Sequence, residues 1–388
     1  MVPSIIKTGP HIRTNGFPVR RQSMGMFDKS TWIRLPRNVV VGHGVLPETL
    51  DAVEELHLSG RPLVVSSPTP YEVAGGRVIE QFADSGYDPE EIVVEEASFD
   101  AVQRVIAYAE DAEAGFLIGV GGGKAIDITK MAADHLGKGF ISVPTAASHD
   151  GIVSGRGSVP EEDTRHSVAA EPPLAVVADT EILAEAPWRL TTAGCADIIS
   201  NYTAVRDWEL AHRLKNVPYS EYAGALSQMT AEMLVENADS IKRNLEESSW
   251  IVVKALVSSG VAMSIAGSSR PASGAEHLFS HQLDRIASGE ALHGHQVGVG
   301  AIMMEYLHTG PQGKWRDVRD ALAAIGAPTT AADLDIDRET VIEALTAAHE
   351  IRARYTLLGD GMREEGALQA ATATSLGWPS AVGASAPV

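Results

Sequence analysis

The feature that most constrains the fold is a repeated alternation of short apolar runs with longer helical stretches, beginning near Trp32 and ending near Ile182. Residues 38–42, 62–67, 92–95, 115–120, 140–143 and 174–178 read as strands, and 50–58, 71–83, 102–112 and 124–136 as helices. Strands that alternate with helices pair in parallel, because each helix returns the chain to the edge where the last strand began. Such sheets bind ligands at the carboxyl ends of their strands. After residue 182 the strand signals stop. Segments 193–214, 221–246, 250–266, 275–288, 296–308, 316–325 and 338–358 carry helical periodicity. The expected architecture is an α/β nucleotide-binding domain over 27–182, a parallel sheet flanked by helices, followed by an all-α metal- and substrate-binding domain over 183–388. Residues 1–26 contain no Asp or Glu and lack the apolar centre of a secretory signal. They read as an overlong or peripheral leader, with Met24 or Met26 as the alternative start; a transit peptide is the other reading.

Composition excludes some functions. The 51 acidic residues outnumber the 31 basic ones, for a net charge of -20. Nucleic acid is therefore not the expected partner, since phosphate neutralisation needs clustered Lys and Arg. Only nine of the basic residues are Lys, which suits a salty cytoplasm, though an ordinary acidic enzyme would look similar. A single cysteine, Cys195, rules out an intramolecular disulfide and fits a reducing, cytoplasmic setting. No apolar run reaches the ~18–20 residues of a membrane span.

The phosphate signal follows the strand at 115–120, in Gly119-Val-Gly-Gly-Gly-Lys-Ala-Ile-Asp127. Glycines there let backbone approach a diphosphate at a helix N-terminus. Ile118 and Ala125 exclude a P-loop, and Lys124 stands where the common dinucleotide fingerprint needs Gly. A tight strand–helix turn is the alternative reading. The loop 143–154 follows another strand end, on the same edge. Its Thr145 and Ser148 can bond a nucleotide, Asp150 can hold a sugar or substrate hydroxyl, and Ser154 is near enough to serve the cofactor. His149 reads as a bystander.

His277 and His281 stand four apart, on one face of a helix. His293 belongs to another element, and Asp197 is the best further ligand. One carboxylate and two imidazoles with an open position suit catalytic zinc, and also non-haem iron. Gly194, Gly274 and Gly294 would permit close approach. His295 takes a lesser role and Cys195 a place in the core.

Together these residues resemble the metal-dependent polyol dehydrogenase superfamily, which includes glycerol dehydrogenase, iron-containing alcohol dehydrogenases and dehydroquinate synthase. The branch they resemble most is the sn-glycerol-1-phosphate dehydrogenase family, through 121–127, 144–150, 194–197, 269–277 and 292–294. The resemblance implies that Gly121, Gly122, Gly123, Lys124, Ala125, Ile126 and Asp127 hold the diphosphate of NAD or NADP. Thr145, Ala146, Ala147 and Ser148 would line the nicotinamide side, and Ser154 would touch the cofactor. Asp197, His277 and His293 would bind one Zn2+ per subunit. Asp150 and His281, the catalytic pair, would hold the substrate hydroxyl, with Asp197 also near the substrate; His281 is the best relay for the proton, and orienting the metal ligands is its other reading. A fourth ligand of the iron-type enzymes, a His four residues after the Asp, is replaced by Asn201. That favours the zinc branch. The strand end Ser66-Ser67 permits either cofactor. The implied reaction is reversible reduction of dihydroxyacetone phosphate to sn-glycerol 1-phosphate, with Arg270 or Lys124 on the substrate phosphate. A homo-oligomer, dimer or larger ring, is expected. A glycerol or other polyol dehydrogenase is the alternative; Asp197 in place of Glu counts against a dehydroquinate synthase-type lyase.

Overall fold

The computed structural model describes residues 32–161, 164–287 and 291–374. Its strands are β1 (Asn38–Gly42), β2 (Arg61–Ser66), β3 (Glu90–Val93), β4 (Ala114–Gly121), β5 (Phe140–Pro144), β6 (Arg156–Glu161), β7 (Thr164–Ala169) and β8 (Ala175–Asp179). Six of them form one sheet in the order β1-β8-β5-β4-β2-β3, with every pair parallel. The inner strands β2, β4, β5 and β8 are buried almost throughout. Covered on both faces, they needed no polar alternation, which is why they read as unbroken apolar runs. Successive residues still serve opposite faces. Leu63, Val65 and Leu117 join the core under the helices Phe99–Asp111 and Gly123–Leu136, while Val64, Phe116 and Ile118 join the core that includes Val53, Val78 and Phe82.

The chain leaves β2 toward β3 but leaves β4 toward β5. The strand order therefore reverses between β2 and β4, and a crevice opens at their carboxyl ends. The helical half is built around Trp188–Lys215, which is buried along most of its 28 residues. The helix His293–Thr309 packs against it. A Cβ on Gly294 would lie 2.1 Å from the Ala193 carbonyl oxygen, and one on Gly298 2.9 Å from Ala196 Cβ. The small residues beside the metal candidates thus let two helix backbones meet.

The structure departs from the sequence reading in four places. β6 and β7 form an antiparallel hairpin where no strand was expected. Its sequence is charged and contains Pro160, so it carries no apolar alternation. The stretch 221–246 is not one helix: Glu221–Glu236 stops where Asn237 Nδ2 caps the Met233 carbonyl at 2.7 Å. The stretch 338–358 is helical only over Arg338–Ala347 and a following 3-10 turn. Finally, Glu246–Ala266 is long and apolar enough to cross a membrane, contrary to expectation. Its Val252, Val253 and Leu256 lie in the main core, and Ser248, Ser249 and Ser259 are buried along it, so it is a core helix. The leader at 1–26 and the tail beyond 374 lie outside the described residues.

Candidate active site

The crevice between β2 and β4 opens into a cleft of about 720 Å3 lined by Ser67, Thr69, Gly122, Gly123, Lys124, Asp127, Thr145, Ala146 and Ser148, among others. Gly121 takes a φ of +155°, a conformation that L side chains rarely adopt. Gly122 then leads into the Gly123–Leu136 helix, and Gly122, Gly123 and Lys124 at its start line the cleft. A Cβ on Gly123 would lie 1.7 Å from His149 Nε2. His149, taken as a bystander, is therefore packed on the glycine turn, held there by the Gly151 N–H donating to Nδ1 at 2.8 Å. The signal for it was the pair of glycines flanking it in space, which no linear motif displays. Ser67 lines the cleft, while Ser66 Oγ is spent on the Val120 carbonyl at 2.9 Å. Ala125, Ile126 and Ala147 are fully or almost fully buried and act through backbone and packing. Lys124 Nζ donates to the Glu95 carbonyl at 2.5 Å.

Asp127 sits at the junction of this cleft with a second cavity of about 120 Å3. Its carboxylate accepts from Lys130 Nζ at 3.0 Å and from the Ser158 amide at 3.0 Å. Lys130 is fully buried and also donates to the carbonyls of Gly151 and Arg156, both at 2.5 Å. This pair ties the Gly123–Leu136 helix to the loop carrying Asp150. A carboxylate facing a diphosphate would repel it unless neutralised, and Lys130 does so.

The smaller cavity is lined by His149, Asp150, Ser154, Arg156, Asp197, Ser269, Ser273, His277, His281, His293 and Arg352, among others. Donor atoms of Asp197, His277 and His293 lie within 4.8 Å of one another. Asp197 comes from the middle of Trp188–Lys215, His277 from Ala275–Ile286, and His293 is the first residue of its helix. His277 Nε2 stands 3.5 Å from Asp197 Oδ1, and its Nδ1 bonds Glu276 Oε1 at 3.0 Å. Ser280 Oγ meets His293 Nδ1 at 2.8 Å and donates to Gln296 Oε1 at 2.6 Å. Each imidazole is thus held through its Nδ1, as metal-binding histidines are, and the Nε2 of His277 faces the Asp197 carboxylate. Burial alone would lower the His277 pKa, but the Asp197 and Glu276 carboxylates overcome it and raise it to about 9. A proton on this ring does there what a divalent cation would do, which is how the donor set fits a metal.

His281 stacks on His293 with ring centroids 5.4 Å apart, and its side chain lines the same cavity. His281, Asp284 and His293 make a second, less buried group of the same span. Asp150 accepts from Ser259 Oγ at 2.8 Å, its amide donates to Asp197 Oδ2 at 3.2 Å, and Asn201 Nδ2 holds Ser259 Oγ at 3.1 Å. Asn201, in place of a fourth ligand, orients the hydroxyl that orients Asp150. Burial and the neighbouring Asp197 push the Asp150 carboxyl up to about 7. Ser154 lines this cavity rather than the cleft. Arg270 lines neither; its Nη1 donates to the Tyr355 carbonyl at 3.4 Å. His295 bonds Thr192 Oγ1 at 2.9 Å, with burial and Arg189 pushing its pKa down to about 4. Cys195 is core, its thiol pushed up to about 12 by burial.

A nucleotide crevice at reversed strand order beside a carboxylate–imidazole triad defines a metal-binding, NAD(P)-dependent dehydrogenase of the iron-containing alcohol dehydrogenase class, and residues 40–187 match the model of that family, iron-containing alcohol dehydrogenase. Solved structures share the fold: a probable glycerol dehydrogenase from Sinorhizobium meliloti 1021 superposes with a TM-score of 0.74 at 21% identity, covering 89% of this chain and 98% of that one. Among curated proteins, glycerol-1-phosphate dehydrogenase [NAD(P)+] of Haloarcula marismortui is 82% identical over 90% of this chain and 100% of its own length. The same-named protein of Methanosarcina mazei is 54% identical over 90% and 98%. The chain belongs to the glycerol-1-phosphate dehydrogenase family.

Proposed function

We infer that the chain catalyses the reversible reduction of dihydroxyacetone phosphate to sn-glycerol 1-phosphate with NADH or NADPH, supplying the glycerophosphate backbone of archaeal membrane lipids in the cytoplasm. The observation that carries the reading is the meeting of Asp197, His277 and His293 within 4.8 Å, in a cavity that shares Asp127, His149, Ser158 and His293 with the nucleotide cleft. Family membership supports the substrate.

Asp197, His277 and His293 would hold one Zn2+, which when bound supplies a Lewis acid that polarises the ketone and stabilises the charge developing on its oxygen. The remaining work falls to the chain. The glycine turn 121–123 and the helix start hold the diphosphate, and Thr145, Ala146 and Ser148 bound the nicotinamide side. Asp150, held by Ser259, accepts a bond from the substrate hydroxyl. His281 passes the proton that the carbonyl oxygen gains as C2 takes the hydride from the nicotinamide. The side chains that wall the cavity are largely buried, so these charges act more strongly there than they would in water. The halves 27–182 and 183–388 act as nucleotide and metal domains. The strand end Ser66-Ser67 offers no carboxylate against a ribose phosphate, which supports use of both cofactors. On Glu221–Glu236, Tyr222, Met229 and Met233 share one exposed face at 83%, 51% and 56%, which supports a homo-oligomer.

The test is a chiral product assay with metal analysis. Zinc-loaded protein should oxidise NAD(P)H with dihydroxyacetone phosphate and yield the 1-phosphate enantiomer, and EDTA should abolish turnover. Equal or greater efficiency on unphosphorylated substrate would refute it. His281→Ala should retain zinc and lose kcat by roughly 100-fold.

A further inference from the structure

The cavity that holds the metal candidates has a second population of charge. Arg156 and Arg352 line it, and Arg270 and Arg354 stand close behind, near enough to act on Arg352 electrostatically. Four guanidiniums in one neighbourhood call for counter-charge. Among the described residues, no carboxylate forms an ion pair with Arg156, Arg352 or Arg354. Glu276 is the acid that acts on Arg352 and Arg354, but its oxygens are taken by the Gly274 amide, Thr203 and His277. Arg352 spends Nη2 on Ser273 Oγ at 2.7 Å, while its Nε is buried with no hydrogen-bond partner. Arg354 donates from Nη2 to Ser269 Oγ at 2.8 Å and from Nη1 to the Ser273 carbonyl. Each serine hydroxyl, having accepted from an arginine, still has its own proton to give. Burial and the nearby Arg156 and Arg270 push the Arg352 guanidinium down to about 10, so the cluster is self-repelling without an anion.

We propose that Arg352 and Arg156, with the hydroxyls of Ser269 and Ser273, seat the phosphoryl group of the substrate and so determine its selectivity for a phosphorylated triose. The geometry favours these over Arg270 and Lys124: Arg270 lines neither cavity, and Lys124 lines the nucleotide cleft alone. A phosphate dianion takes charge-assisted bonds from planar guanidiniums and from hydroxyls together. Arg354 is a positioning residue, holding Ser269 and the loop at Ser273. This inference rests on the function proposed above and names the residues that read the phosphate.

The experiment compares zinc-loaded wild type, Arg352→Gln, Arg352→Lys and Arg156→Gln on dihydroxyacetone phosphate and on dihydroxyacetone. The ratio of kcat/KM between the two substrates should fall about 100-fold in Arg352→Gln, mostly through KM. Arg156→Gln should lower it about tenfold, and Arg352→Lys should recover part of the loss. An equal loss on both substrates, or an unchanged ratio in both Gln variants, overturns the proposal. Zinc content and the cooperative unfolding transition separate a failed fold from a lost contact. Calorimetric titration with inorganic phosphate tests the seat independently of turnover. Binding by wild type that is lost in Arg156→Gln supports it even if dihydroxyacetone phosphate is not the substrate. Equal binding by both, or none by wild type, refutes it.

Discussion

The nucleotide cleft and the metal cavity adjoin, yet they are built on opposite plans. The cleft is made mostly from backbone and small side chains at strand ends: Gly122, Gly123, Thr145, Ala146 and Ser148. Its selectivity comes from how close the main chain can approach. The cavity is dense with ionisable groups, Asp150, Asp197, His277, His281, His293, Arg156 and Arg352, drawn from positions up to about 200 residues apart. Its selectivity comes from charge held among buried side chains. The comparison teaches that a diphosphate, already carrying its own charge, needs only a shaped set of amides, whereas a reacting ketone needs fixed charge placed by rigid helices.

The contrast can be broken most severely at His277. His277→Ala removes one of the three proposed ligands, and we expect metal loss and a fall in kcat/KM of about 10,000-fold, with NADH binding retained. Loss of cofactor binding as well would show that the two regions are not separable. Lys130→Met tests the joint between them. It strands the Asp127 carboxylate inside the protein, and chemical denaturation should report a loss of about 3–5 kcal/mol. An unchanged midpoint would mean that the Lys130–Asp127 pair does not hold this joint together.

The pH dependence of metal binding sharpens the electrostatic side. His277 in the metal-free protein carries its proton up to about pH 9, and zinc needs the neutral ring. Proton and metal therefore compete below that value, and zinc affinity should rise about tenfold per pH unit from 6 toward 9, then level off. A flat profile over that range would deny His277 its place as a ligand. The smallest effect is expected in the cleft. Gly123→Ala drives a methyl into His149, and the KM for NADH should rise about tenfold with zinc content unchanged. A loss of zinc instead would make His149 part of the metal cavity's support.

Much of this molecule is legible in one dimension. Apolar runs located the four inner strands of the main sheet, because a strand buried on both faces must be apolar throughout, and the edge strands β1 and β3, only partly buried, were found from shorter runs beside helical periodicity. The glycine turn was readable for the same local reason: strand, tight turn and helix start are contiguous. Asp197, His277 and His293 could be nominated from residue chemistry and family likeness. Arg156 and Arg352 could not, since neither stands in a motif and each acquires meaning only beside Ser269, Ser273 and the other. The β6–β7 hairpin escaped because its residues carry no apolar alternation, and its pairing is written in backbone hydrogen bonds.

What the sequence determined alone is the class of fold, the nucleotide edge and the kinds of donor available for a metal. What tertiary structure decided is which of those donors converge, which arginines share their cavity, and that Lys130 neutralises Asp127. The physical reason is range: periodicity and turn chemistry act over a few residues, while charge compensation among buried side chains depends on distances that only the packed helices set.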